Sequence, residues 1–119
     1  ITELRPRPWP RAIEQVVAAL PEQLDREPRL SAFATQVGLS ESRLSHLFTA
    51  HVGIPFRAYV LWVRLERAGS ELARGRNLTE AAYAAGFADS AHLSRSFRKM
   101  FGIAPSALTA FATWHVANR

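Results

Sequence analysis

Apolar residues return along this chain at intervals of three and four, the spacing that lines one face of an α-helix. From Arg11, the positions Ile13, Val16, Val17 and Leu20 mark one amphipathic helix, and Pro21 and Pro28 interrupt the pattern after it. Beyond Pro28 the pattern is helical throughout, with Gly38, Gly53, Gly75, Gly86 and Gly102 placed as stops or turns. No strand is predicted. Phe56 to about Arg74 reads as a single helix of roughly 20 residues, spanning roughly 30 Å at its 1.5 Å rise. Its first half places Phe56, Tyr59, Val60 and Val63 on one side, and its second half places Leu61, Leu65, Ala68 and Leu72 on nearly the opposite side. One helix is therefore expected to feed two cores.

The pattern also repeats. Leu30, Ala34 and Gly38 recur 48 residues later as Leu78, Ala82 and Gly86, while Leu44, Phe48, Gly53 and Ile54 recur 49 residues later as Leu93, Phe97, Gly102 and Ile103. One residue has been inserted just after the glycine, so the drift is confined to a turn. Each copy reads as a short helix, a corner at glycine, and a second helix that starts after a capping residue. In the first copy Gly38 permits a left-handed backbone, Leu39 drops into the core and Ser40 caps the next helix. In the second copy Gly86, Phe87 and Asp89 take those parts, and Asn77 with Glu80 gives the opening helix a capping-box start. A two-helix corner of this kind places a recognition helix in a DNA major groove.

A helical wheel at about 100° per residue separates the two faces of each second helix. After Asp89, the residues Leu93, Phe97, Met100 and Phe101 share the inward face, leaving Ala91, Arg95, Arg98 and Lys99 opposite and Ser90 and His92 on the leading turn. After Ser40, the residues Leu44, Leu47, Phe48 and Val52 point inward, while Ser42, His46 and Thr49 point away, flanked by Arg43 and Ser45. His51 falls toward the buried side. Packing with a solvated far side explains either helix alone; the repetition with matched turns is what favours a nucleic-acid reader. Small and polar groups near the helix start, with Arg further along, suit base edges and phosphates, and Ser90, Ala91, His92 and Arg95 supply that order.

Charge adds to this picture by where it sits. The chain of 119 residues has a net charge of +5. Residues 1–39 hold five Arg and five acids, whereas residues 40–119 hold nine Arg and one Lys against five acids. All the excess accompanies the repeat, which suits a polyanionic partner. Cysteine is absent, so disulfides, thiolate nucleophiles and Cys-ligated zinc are excluded, and a cytoplasmic setting is the expectation. The longest apolar run near the middle, Ala58 to Val63, is far short of a membrane span.

The chain opens on Ile rather than Met, and Pro6, Pro8 and Pro10 give a stiff, extended start. Residues 1–10 are accordingly read as a linker from an N-terminal region outside this sequence. The first helix-turn-helix subdomain is expected at 11–54, the linker helix at 55–75 and the second subdomain at 76–119.

Gly86-Phe87-Ala88-Asp89, then Leu93-Ser94-Arg95, Phe97-Arg98-Lys99, Phe101-Gly102 and Pro105, resemble the C-terminal signature of AraC/XylS-type transcription regulators. Upstream, Leu39-Ser40, Leu44-Ser45, Leu47-Phe48, Gly53, Arg64-Leu65, Ala68 and Leu72 resemble the rest of that family's DNA-binding domain. The resemblance runs from about Arg11 to Leu108 and implies an all-α fold of about seven helices, with two helix-turn-helix subdomains joined by a long linker helix. It implies that two recognition helices enter adjacent major grooves of double-stranded DNA to regulate transcription. By position, Ser42, Ser45, His46, Ser90, Ala91, His92 and Arg95 would read bases. Phosphate contacts would fall to Ser40, Arg43, Phe56, Arg57, Arg98, Lys99 and Ser106, several of them at helix starts. RNA polymerase is an expected second partner and a membrane is not; no cofactor or metal is expected. The isolated domain is expected to be monomeric, with any dimerisation of the full-length protein assigned to its N-terminal region. Departures from the family pattern are the small Ala81 and Ala85, Leu108 in place of an aromatic and Thr109 in place of Arg. The first two suggest a less filled second lobe. Arg64 belongs to the family's structural pattern and is expected to pack or pair rather than to read.

An enzyme is the first alternative, and the motifs speak against it. The four His residues are dispersed without a His-Glu-x-x-His pair, and there is neither a phosphate-cradling Gly loop nor a Gly-x-Ser-x-Gly elbow. A repair methyltransferase carrying this type of domain requires a nucleophilic Cys. The second alternative, a helical protein-interaction module without DNA binding, would share the core but not the basic face after Asp89.

Overall fold

The computed structural model describes residues 9–102 of the chain. Helix α1 (Arg11–Ala19) runs into a 3₁₀ turn (Leu20–Gln23), followed by α2 (Leu30–Val37), α3 (Glu41–Val52), α4 (Phe56–Ala73), α5 (Leu78–Ala84) and α6 (Ser90–Phe101). The described residues contain no strand. The expected seventh helix, and with it Ile103, Pro105, Ser106, Leu108 and Thr109, lies outside the described residues.

Local chemistry sets most of the boundaries. Pro10 precedes α1, and Pro21 occupies the first turn of the 3₁₀ segment, where a missing N–H costs nothing. Helices α2, α3 and α6 each end on a glycine with positive φ, at Gly38, Gly53 and Gly102. Three N-termini are capped by side chains: Ser40 Oγ accepts from Arg43 N, Asn77 Oδ1 from Glu80 N, and Asp89 Oδ1 from His92 N. At α5 the box is reciprocal, because Glu80 Oε1 also accepts from Asn77 N at 3.0 Å. That helix has only seven residues and leans on its cap. Asn77→Ala is expected to remove about 1 kcal/mol of stability, read as a lower denaturant midpoint with an unchanged slope.

Two hydrophobic clusters form. The first gathers Ile13, Val16, Leu20, Leu24, Phe33, Ala34, Leu44, Phe48, Phe56, Val60 and Val63. At its centre Phe56 meets Phe33 and Phe48 edge to face, with ring centroids 5.9 and 5.5 Å apart. The second gathers Leu65, Ala68, Ala81, Ala82, Ala85, Phe87, Leu93 and Phe97. Helix α4 contributes to both: Phe56, Val60 and Val63 are buried in the first and Leu65 and Ala68 in the second, with half-buried Leu61 already against the second, the overlap of stripes that the sequence pattern anticipates. Ala81 and Ala85 have no exposed surface, so their short side chains sit within the second cluster where α5 packs on α4.

Two further contacts fix the lobes to α4. Arg64, in the step between the clusters, donates from Nη2 to the carbonyls of Leu24 at 3.5 Å and Arg26 at 3.2 Å, and pairs with Glu27 at 3.8 Å. It is the packing and pairing residue that the sequence suggested. Trp62 of α4 meets Phe101 of α6, ring centroids 6.1 Å apart. Trp9, inside the stretch expected to be linker, packs against the first cluster and donates its indole N–H to the His51 carbonyl at 3.1 Å.

Candidate nucleic-acid interface

The outward face of α3 is built by its cap and its glycine stop. With Ser40 fixing the start, Leu44 and Phe48 turn into the first cluster, and Ser42, Arg43, Ser45 and His46 are left exposed. A groove of about 480 Å³ between the starts of α2 and α4 and the side of α3 brings Ser45 together with Ser31, Arg29 and Arg57, with Glu27 and Glu41 also in its lining. The sequence placed Ser45 and Arg57 in separate elements; the fold puts them on one surface.

On α6, Leu93 and Phe97 are fully buried, Ala91, Arg95, Arg98 and Lys99 are exposed, and Ser90 and His92 are half-buried. Arg98 and Lys99 occupy the last turn, where positive charge also complements the helix dipole. His92 is held more firmly than the wheel alone would suggest. Its Nδ1 accepts from Ala88 N at 3.3 Å, and its ring meets Phe87 edge to face at 5.2 Å.

Two predicted positions need qualification. Phe56 is buried in the first cluster, so only its main-chain N–H at the start of α4 is available to a phosphate; that helix begins at Pro55 without a side-chain cap. His51, expected toward the buried side, is exposed. It does lie on the angular sector of Leu44 and Phe48, but it belongs to the last turn of α3, where the first cluster no longer covers that sector. Ser40 is exposed and serves as the cap of α3. Ser106 lies outside the described residues.

Most of the described cations fall into two sets; Arg11 and Arg29, exposed and without an ion pair among the described residues, stand outside both. Arg67, Arg74 and Arg76 all turn to the buried carboxylate of Glu71, at 3.3, 3.6 and 3.4 Å, and Arg64 and Arg26 pair with Glu27 and Asp25. Arg43, Arg57, Arg95, Arg98 and Lys99 are exposed and carry no ion pair among the described residues. The members of the second set belong to α3, the start of α4 and α6. Among the described residues their charge is thus uncompensated, and a polyanion can neutralise it without breaking a described bridge.

Glu71 is the residue that sequence reading missed. It lies three positions after Ala68 on the inward stripe of α4, with arginines four before and three after it, and that spacing was a readable sign of a paired, buried acid. Burial pushes the Tyr59 phenol above its usual range, and Glu66 adds to the shift. Among the described residues no group of three or more His, Asp or Glu is placed to hold a metal ion.

Residues 33–110 match a family model described as a helix-turn-helix domain. The uncharacterized HTH-type transcriptional regulator YidL of Escherichia coli is 35% identical over 102 residues, covering 85% of this chain and 34% of that protein. A transcriptional regulator from Chromobacterium violaceum with an AraC-type DNA-binding domain superposes with a TM-score of 0.74 at 25% identity, covering 85% of this chain and 91% of that one. The C-terminal domain of the two-component response regulator yesN from Fusobacterium nucleatum superposes with a TM-score of 0.70 at 30% identity, covering 83% and 98%. The chain spans about a third of the length of the curated relatives it matches. With the duplicated corner, the α4 bridge and the signature around Gly86 on one set of six helices, the chain belongs to the family of AraC-type helix-turn-helix domains.

Proposed function

We propose that this chain binds double-stranded DNA sequence-specifically and regulates transcription, with α3 and α6 as the two recognition helices in adjacent major grooves. The observation that carries the reading is where the cations are paired: those on α3, the start of α4 and α6 are exposed and without an ion pair among the described residues, while those elsewhere on α4 and its following loop are spent on Glu71 and Glu27. Base reading is assigned to Ser42, Ser45 and His46 of α3 and to Ser90, Ala91, His92 and Arg95 of α6. Arg43, Arg57, Arg98 and Lys99 are assigned to phosphates, joined by Ser40, by the Phe56 main chain and by Ser106. The chain acts as a monomer on two half-sites in direct orientation, and RNA polymerase is the expected protein partner of the whole regulator. No catalytic role is assigned to any residue, in keeping with relatives that are transcriptional regulators.

Arg95 stands on the outward face of α6, its guanidinium without an ion pair among the described residues. Arg95→Ala is expected to weaken binding to the preferred site by about 1 to 3 kcal/mol and to relax base preference at one position. Selection from randomised duplexes, run on both proteins, measures this; an unchanged profile would remove α6 from the readers. Binding that does not weaken with rising salt would favour a protein-interaction module instead.

A further inference from the structure

We propose that His92 reads guanine in the major groove as a hydrogen-bond donor locked in one tautomer, an inference that rests on the assignment of α6 as a recognition helix. The corner before α6 sets the tautomer. Asp89 caps the helix by accepting from His92 N at 2.7 Å, which draws the first turn back over the loop. The Ala88 N–H then donates to His92 Nδ1 at 3.3 Å, and the buried Phe87 ring stands edge to face with the imidazole at 5.2 Å and 88°. A main-chain N–H can be met only by a lone pair. Nδ1 therefore carries no proton, and the single proton of the neutral ring sits on Nε2.

Among the described residues nothing accepts from Nε2, and His92 is half-buried on the leading turn of α6 beside the exposed Ala91. What the ring offers outward is one N–H donor and no acceptor. Guanine alone presents two adjacent acceptors, N7 and O6, on its major-groove edge; adenine pairs its N7 with an amino donor, cytosine shows an amino group, and thymine adds a methyl beside O4. A fixed donor is best satisfied by guanine and is opposed by cytosine. The Phe87 contact holds the ring before DNA arrives, so little rotamer freedom is lost on binding. His46 of α3 provides the contrast: it is exposed and has no hydrogen bond among the described residues, so nothing there selects a tautomer.

Two measurements on the 119-residue chain test this. Ring nitrogen–proton correlation spectra of histidine-labelled protein without DNA, at a pH where imidazole is neutral, should show His92 protonated at Nε2; protonation at Nδ1 overturns the proposal. Selection from randomised duplexes should then show guanine preference at one position falling about fivefold to tenfold in His92→Ala. His92→Gln, which offers a donor and an acceptor together, should move that position toward adenine. Arg95→Ala, changing a different position, is the internal control. If Arg95→Ala alters its position while both His92 variants keep the wild-type profile, the histidine proposal fails alone. If none of the three variants changes any position, the recognition-helix assignment fails and takes this proposal with it.

Discussion

Gly86→Ala is expected to destabilise the fold by roughly 3 to 5 kcal/mol, two to three times the loss from the same change at Gly38. Both glycines have positive φ, 89° at Gly86 and 76° at Gly38, so each substitution carries a backbone penalty of about 1 to 2 kcal/mol. The surroundings differ. Nothing lies within 4 Å of a Cβ built at Gly38, whereas one built at Gly86 runs into the Leu24 carbonyl oxygen, with Leu24 C at 3.0 Å and Arg64 Nε at 3.1 Å. Leu24 is buried in the first cluster and its carbonyl accepts from Arg64, so the obstacle is backbone that cannot swing aside. Gly86 is thus both the corner of the second helix-turn-helix and the point where that corner touches the first lobe. Denaturant unfolding of both variants checks the difference. Equal losses at Gly38 and Gly86 would mean that the junction yields.

Inserting five base pairs between the two half-sites is expected to lower affinity on the order of 100-fold or more, because one reader then faces the wrong side of the duplex. Helix α4 sets the spacing. Its 18 residues extend about 27 Å at the helical rise and hold Val63 in one cluster and Leu65 in the other. Arg64 ties this step to the Leu24 and Arg26 carbonyls, and Trp62 meets Phe101 at the far end of α6. Lobes joined this way cannot rotate independently to follow a half-turn of DNA. A ten-pair insertion restores the face but doubles the separation, so it too should bind weakly. Titration of the three duplexes at fixed salt provides the measurement. Affinity maintained across all three would show that the lobes act through a loose tether, or that a single helix does the reading.

Much of this molecule was legible in the chain because its local signals agree with one another. The caps at Ser40, Asn77 and Asp89 and the corners at Gly38 and Gly86 are short-range devices, each specified by a few neighbouring residues. The switch of side along α4 was visible as a change of phase in the apolar stripe. His51 shows the limit of that kind of reading. Periodicity gives the direction of a side chain, but whether another element covers that direction depends on where the core ends.

By itself, the sequence determined the six described helices, the two corners and the outward set Ser42, Ser45, His46, Ala91 and Arg95, since 3.6-residue periodicity and glycine-permitted turns are properties of the local chain. Only the tertiary structure decided that Glu71 is buried and that Arg64 reaches back to Glu27 and the Leu24 and Arg26 carbonyls, because burial and pairing across 37 residues depend on how the elements meet. It also placed Ser45 and Arg57 on the lining of one groove, and it turned Gly86 from a flexible corner into a contact with Leu24. These are long-range juxtapositions: they are fixed by how two buried clusters share α4, and no pattern within a few residues encodes them.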